Sequence, residues 1–123
     1  MSKLPMIARL LLGLIFFVFG LNGFLNFLPA PPMPEAAGAF AGALAATGYM
    51  FPLIKGIEVL VGLLLLSNKF VPLALLLLAP ITVNIVLFHA VLAPAGLVLP
   101  IIIVLLHVYL ASTHKAVYKP LFN

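Results

Sequence analysis

The chain has 123 residues, of which 66% are hydrophobic and 7% charged, against about 45–50% and about 25% in a soluble domain. Its 6 basic and 2 acidic residues cannot wet the surface of a globule, so a water-soluble fold is excluded and the surrounding medium must be hydrocarbon. With no Cys there is no disulfide framework, thiolate metal site or iron–sulfur cluster, and a net charge of +4 spread over separated residues makes no nucleic-acid surface.

A spanning helix needs roughly 20 apolar residues, and four stretches approach that length. The first covers 4–28. Pro5 suits a first helical turn, while Pro29, Pro31, Pro32 and Pro34 forbid continuation. Its apolar run exceeds the roughly 7–15 residues of a secretory signal and no small-x-small site follows, so a retained span is expected. Residues 35–48 come next, mostly Ala, with Glu35 at the start, Thr47-Gly48 as a stop, and Phe40 and Leu44 on one face. They predict a short outside helix lying on the membrane or capping the bundle. Further spans are predicted over 50–67, stopped by Ser67, Asn68 and Lys69, and over 71–92, turned back by Pro94, Ala95 and Gly96. The last, 97–114, fades through Ser112, Thr113 and His114 into a polar tail. The expectation is one all-α integral membrane domain over 1–123, a four-helix bundle with a short extra helix between spans 1 and 2.

Lys and Arg concentrate on the cytoplasmic flanks of spans. With the N-terminus inside, Lys3, Arg9, Lys69, Lys115 and Lys119 fall on that side and only Lys55 lies outside, which predicts both termini to be cytoplasmic.

Lipid tails and Leu side chains are equally apolar, so the rare polar residue distinguishes one helix face from another. Glu58 is the one acidic residue inside a span, and Lys55 precedes it by three residues on the same face. The spacing reads either as an internal ion pair or as a proton-exchanging or ligand-orienting carboxyl. At 1.5 Å per residue Asn22 and Glu58 each lie about 9 Å, and Asn84 about 12 Å, below the outer boundary. The three form one layer, which is either interhelical glue or the lining of a polar pocket. Arg9, one turn inside the first span, either snorkels to headgroups or points inward to hold an acidic cofactor, a headgroup or a partner carboxylate. Gly13 and Gly20 share its stripe, with Gly23 beside it, and predict a close helix contact.

His89 lies about 4–5 Å and His107 about 15 Å from the same boundary. Unequal depth argues against a bis-His haem. Five residues separate Asn84 from His89, about 140° round a regular helix, so the two are expected on different faces unless Pro80 distorts the path. A nucleophile elbow, a phosphate-binding glycine loop, HExxH and paired carboxylates are all missing from the sequence.

Arg9, Gly13, Phe17 and Gly20, then Phe40 and Thr47-Gly48, then Gly56-Ile57-Glu58-Val59-Leu60-Val61-Gly62 and Asn84-Ile85-Val86-Leu87-Phe88-His89 resemble the DoxX and DoxX-like small membrane proteins over nearly the whole chain. The resemblance implies a compact four-helix bacterial inner-membrane bundle, associated in the family with thiosulfate:quinone oxidation and, for some members, with membrane oxidoreductase or oxidative-stress complexes. A basic residue often follows the Gly-rich stripe in that family; here Asn22 and Asn26 stand in that region. The leading expectation is a subunit or partner of a larger membrane complex, redox-linked, without independent catalysis. It would carry no intrinsic cofactor and meet the lipid bilayer, other membrane subunits or further copies of itself, with a quinone or lipid contact near Arg9 or the Asn22, Glu58, Asn84 layer. One alternative is a quinone-reactive oxidoreductase subunit in which Glu58 exchanges the proton and Phe88 packs on the ring. Another is a lipid or small-molecule binding or transport protein acting as an oligomer.

Overall fold

The computed structural model describes residues 3–29 and 32–122, and every regular element among them is helical. The elements are α1 (Leu4–Leu25), α2 (Glu35–Ala46), α3 (Met50–Ser67), α4 (Val71–Leu87), α5 (Val98–Ser112) and α6 (Lys115–Tyr118). A π turn, Phe88–Leu92, continues α4, and 3₁₀ turns cover Pro94–Gly96 and Lys119–Phe122. α1, α3 and the continuous unit Val71–Leu92 are each long and apolar enough to cross a bilayer. α5 reaches that length only together with Lys115–Phe122, from which a bend of 76° divides it. The chain is an all-α membrane bundle. Beyond Ser112 the polar tail read from the sequence is itself helical and turns sharply aside.

The helix ends have local causes. α1 stops at Leu25, short of the expected 28, because Asn26 enters the left-handed region with φ 51. Asn22 folds over that end, and its Oδ1 accepts the Leu28 N–H at 2.7 Å. Asn tolerates this backbone better than most L residues, and Asn68 (φ 58) closes α3 in the same way. Between α2 and α3 the joint is short. Gly48 takes φ 83, and the Thr47 hydroxyl donates to the Leu44 carbonyl at 2.7 Å while accepting the Met50 N–H at 3.0 Å.

The closest packing joins α1 to α3. A Cβ built on Gly62 would stand 2.6 Å from Phe17 N and 2.7 Å from Phe17 Cα, and one on Gly20 would stand 2.8 Å from Val59 N. These neighbours are backbone, so only glycine allows the approach. In lipid such van der Waals fit, not solvent exclusion, holds helices together. The buried cluster continues from Leu12, Phe16, Val61 and Leu65 into α4 and α5 through Ala74, Leu75, Leu78, Ile103 and Leu110. At one end of the seam the Arg9 guanidinium donates from Nη1 to the Leu65 and Leu66 carbonyls. Those carbonyls belong to the last turn of α3, where the Leu65 carbonyl also accepts the capping Asn68 N–H at 3.3 Å, and carry the negative end of the helix dipole. Leu14, Leu60, Leu63, Leu73, Leu76 and Leu105 point outward and are exposed, a girdle suited to acyl chains and not to water.

Candidate functional site

α2 lies against α3 and the π turn, and between α2, α3 and α4 is a cavity of about 440 Å³. α2 lines it with Phe40, Ala41 and Leu44, and α3 with Met50, Phe51, Ile54, Lys55 and Glu58. α4 and the π turn add Pro80, Ile81, Asn84, Ile85, Phe88 and His89. The walls are apolar and aromatic, with four polar side chains set into them.

Glu58 is 4% exposed, and its Oε1 accepts from Lys55 Nζ at 3.2 Å, the single ion pair among the described residues. Of the two readings of this spacing, the ion pair is present. The same ammonium sits 5.5 Å from the Phe51 ring centroid, and its stem passes against Gly23 of α1, where a Cβ would collide with it. One i,i+3 step on α3 thus buries the carboxylate and holds the cation between it and a ring face.

Asn84 faces the cavity, and its side-chain amide has no protein partner among the described residues, which leaves a donor and an acceptor for a ligand. His89 is held by its own helix: Nδ1 lies 2.8 Å from the Ile85 carbonyl. Since a carbonyl only accepts, Nδ1 carries the hydrogen, and Nε2 of the neutral ring is a free acceptor. The Cδ2 edge of the ring lies against Gly96, where a Cβ would stand 3.1 Å away. Phe88 meets His89 edge to face at 5.1 Å and Phe40 at 5.7 Å, which ties α2 to the π turn over the cavity.

Asn84 and His89 therefore share one cavity, against the different faces expected of a regular helix. Pro80 interrupts α4, and Phe88–Leu92 is a π turn. Pro80 precedes both residues and cannot alter the angle between them, but a π turn takes up an extra residue, so the register from Asn84 to His89 is no longer about 100° per residue.

The other candidates lie elsewhere. Asn22 caps the end of α1 and does not line the cavity, so the layer of three reduces to Glu58 and Asn84. Arg9 is at the far end of α3, engaged with carbonyls. His107 is buried between α5 and α4: Nε2 lies 2.9 Å from the Leu75 carbonyl and Nδ1 2.9 Å from Thr82 Oγ1. Thr82 is marked in the sequence only by its place two residues after Pro80. No group of His, Asp and Glu able to hold a metal ion occurs among the described residues.

A family model described as DoxX matches residues 4–91, from the start of α1 into the π turn. The chain belongs to the DoxX family. No curated protein and no solved structure matches it significantly. Every cavity residue of this DoxX protein lies inside the matched stretch, whereas α5 and α6, with His107 and Tyr118, lie beyond it.

Proposed function

We propose that this DoxX protein is a small subunit of a larger membrane complex, without independent catalysis, whose cavity seats the head of a lipid-soluble quinone for that complex. In this reading it is a multi-pass protein of a bacterial inner membrane, with α5 as a fourth span and both termini cytoplasmic. One observation carries the ligand reading. Three rings, Phe40, Phe51 and Phe88, meet the Lys55–Glu58 pair, the free Asn84 amide and the free His89 Nε2 in a single cavity.

Its volume is within the roughly 300–1,000 Å³ of small-molecule sites, and aromatic walls suit a flat ring. Asn84 Nδ2 and Lys55 Nζ can donate to a carbonyl, His89 Nε2 can accept from a hydroxyl, and Glu58 is a buried group able to take a proton from a neighbour. A bound quinone supplies reversible two-electron, two-proton chemistry; the chain's own residues position it and keep water away. The subunit reading is supported by the missing catalytic signatures and the small extramembrane mass, and the orientation by the placement of Lys and Arg.

Purified in mild detergent, the protein is expected to bind decylubiquinone saturably. Asn84→Leu should weaken binding by about tenfold, the effect of one lost hydrogen bond, and Glu58→Gln should weaken it less, by releasing Lys55 from its place in the cavity wall. Absence of saturable binding, or unchanged affinity in both variants, refutes the quinone seat. Native mass spectrometry of gently extracted membranes tests the complex: a lone protomer with neither companion nor self-association overturns the subunit reading.

A further inference from the structure

The segment after α5 has the make-up of a helix that lies in a membrane surface. At the end of α5 the chain bends by 76°, which lays Lys115–Phe122 across the direction of α5. Val117 follows Lys115 by two residues and Leu121 follows Lys119 by two, so each apolar side chain stands about 200° round from a lysine. All four are exposed, and Phe122 at the end is 86% exposed. Lysines on one face and aliphatic side chains on the other is the pattern of an in-plane interfacial helix.

Tyr118 holds this segment to the bundle, its hydroxyl donating to the Pro72 carbonyl at 2.7 Å. Pro72 is in the first turn of α4, directly after the turn that carries Lys69 and a 70% exposed Phe70. The bond from Arg9 to Leu65 shows that the start of α1, with Lys3, meets this same end. Lys3, Arg9, Lys69, Lys115 and Lys119 thus gather at one end of the bundle, and none makes an ion pair among the described residues. Both acidic residues are elsewhere: Glu35 opens α2, and Glu58 is bonded to Lys55. Among the described residues no acidic side chain faces this rim of positive charge, which is edged with exposed apolar side chains.

We infer that this end of the protein is a binding surface for anionic phospholipids, with Lys115 and Lys119 on headgroup phosphates and Val117 and Leu121 inserted among the acyl chains beneath. The lysines supply charge complementarity to an anionic leaflet. The Tyr118 tether keeps them at headgroup depth, which a free tail would not do.

The chain has no Trp, so Leu121→Trp, on the exposed aliphatic face, in the otherwise unchanged protein is a clean depth probe. In nanodiscs of phosphatidylcholine with about 30% phosphatidylglycerol, its emission should be blue-shifted and quenched by acyl-brominated lipid. Native mass spectrometry of protein extracted from the same mixture should show phosphatidylglycerol enriched among retained lipids. That enrichment should fall by about threefold or more in Lys115→Gln/Lys119→Gln and persist in Lys115→Arg/Lys119→Arg. Water-like, unquenched emission overturns the inference. So does equal retention of the two lipids by the unmodified protein, or an enrichment that the Gln pair leaves unchanged.

Discussion

His107 Nε2 lies 2.9 Å from the Leu75 carbonyl, on the stretch of α4 that Pro80 interrupts. Pro80, inside α4, offers no N–H to the Leu76 carbonyl. His107 reaches the same stretch from α5 and bonds the carbonyl one residue earlier, that of Leu75, and its second nitrogen meets Thr82 Oγ1 at 2.9 Å. The Leu75 carbonyl can only accept, so Nε2 carries a hydrogen, and in the neutral ring Nδ1 accepts from the Thr82 hydroxyl.

Removing His107 leaves the 6% exposed Thr82 without this partner. His107→Leu is expected to destabilise the protein by about 1–2 kcal/mol, between the average membrane hydrogen bond of about 0.6 and the larger cost of a buried orphan. Reversible unfolding in micelles should also show that Thr82→Val added to His107→Leu costs less than the sum of the two. Strict additivity would mean that the triad is not coupled.

The glycines separate by sign. Gly62→Ala places a methyl 2.6 Å from Phe17 N, so α1 and α3 must part, at a cost of about 1–3 kcal/mol. Gly56 sits in the same helix with nothing within 4 Å of its would-be Cβ, and Gly56→Ala should stabilise by about 0.5–1 kcal/mol through lower backbone entropy in the unfolded chain. Thermal denaturation of the two variants side by side is decisive, and a shared direction would contradict the seam.

Lys55 and Glu58 form a pair with unequal burial, their side chains being 21% and 5% exposed. Lys55→Met strands a buried carboxylate, whereas after Glu58→Gln the lysine can still reach toward the interface. The lysine change should therefore be the costlier, by about 1 kcal/mol or more, with Lys55→Met/Glu58→Gln recovering part of the loss. A double-mutant cycle with a coupling near zero would show the pair to be idle.

Tyr118 is outside the spans, and burial raises its phenol above the ordinary tyrosine range. A group raised in the folded state contributes its stability below the unfolded value and loses it as pH rises through the folded one. The bond to Pro72 is thus intact at neutral pH and fails only in strong alkali. Tryptic cleavage after Lys115 should be slow near pH 7 and faster in Tyr118→Phe at that pH. Equal neutral-pH rates for the two proteins would show that the tether does not restrain the segment.

Legibility in the sequence follows how local each cause is. The stop after Ser67 needs only Asn68 in a left-handed turn, and the reversal after Leu92 needs only Pro94, Ala95 and Gly96. Both can be seen in a few letters. The pairing of Lys55 with Glu58 is equally local, at one helical step. By contrast, the meeting of Asn84 and His89 depends on a π turn for which no residue pattern is distinctive, and regular-helix arithmetic separates the two. His107 and Leu75 are 32 positions apart, and Tyr118 and Pro72 are 46 apart. Each of these contacts ends on a backbone carbonyl, which every residue possesses and no sequence pattern marks.

α5 has 15 residues, about 22 Å at 1.5 Å each, and it turns aside where a span across about 30 Å of hydrocarbon would continue. α1, with 22 residues, measures about 33 Å. Where α5 crosses as the fourth span proposed above, the flank at α1 would match an ordinary bilayer and the flank at α5 would draw the two leaflets together into a wedge-shaped collar of lipid. Such a collar costs elastic energy that falls in a thinner membrane or beside another protein with an equally short flank, and this biases where in the bilayer the molecule settles.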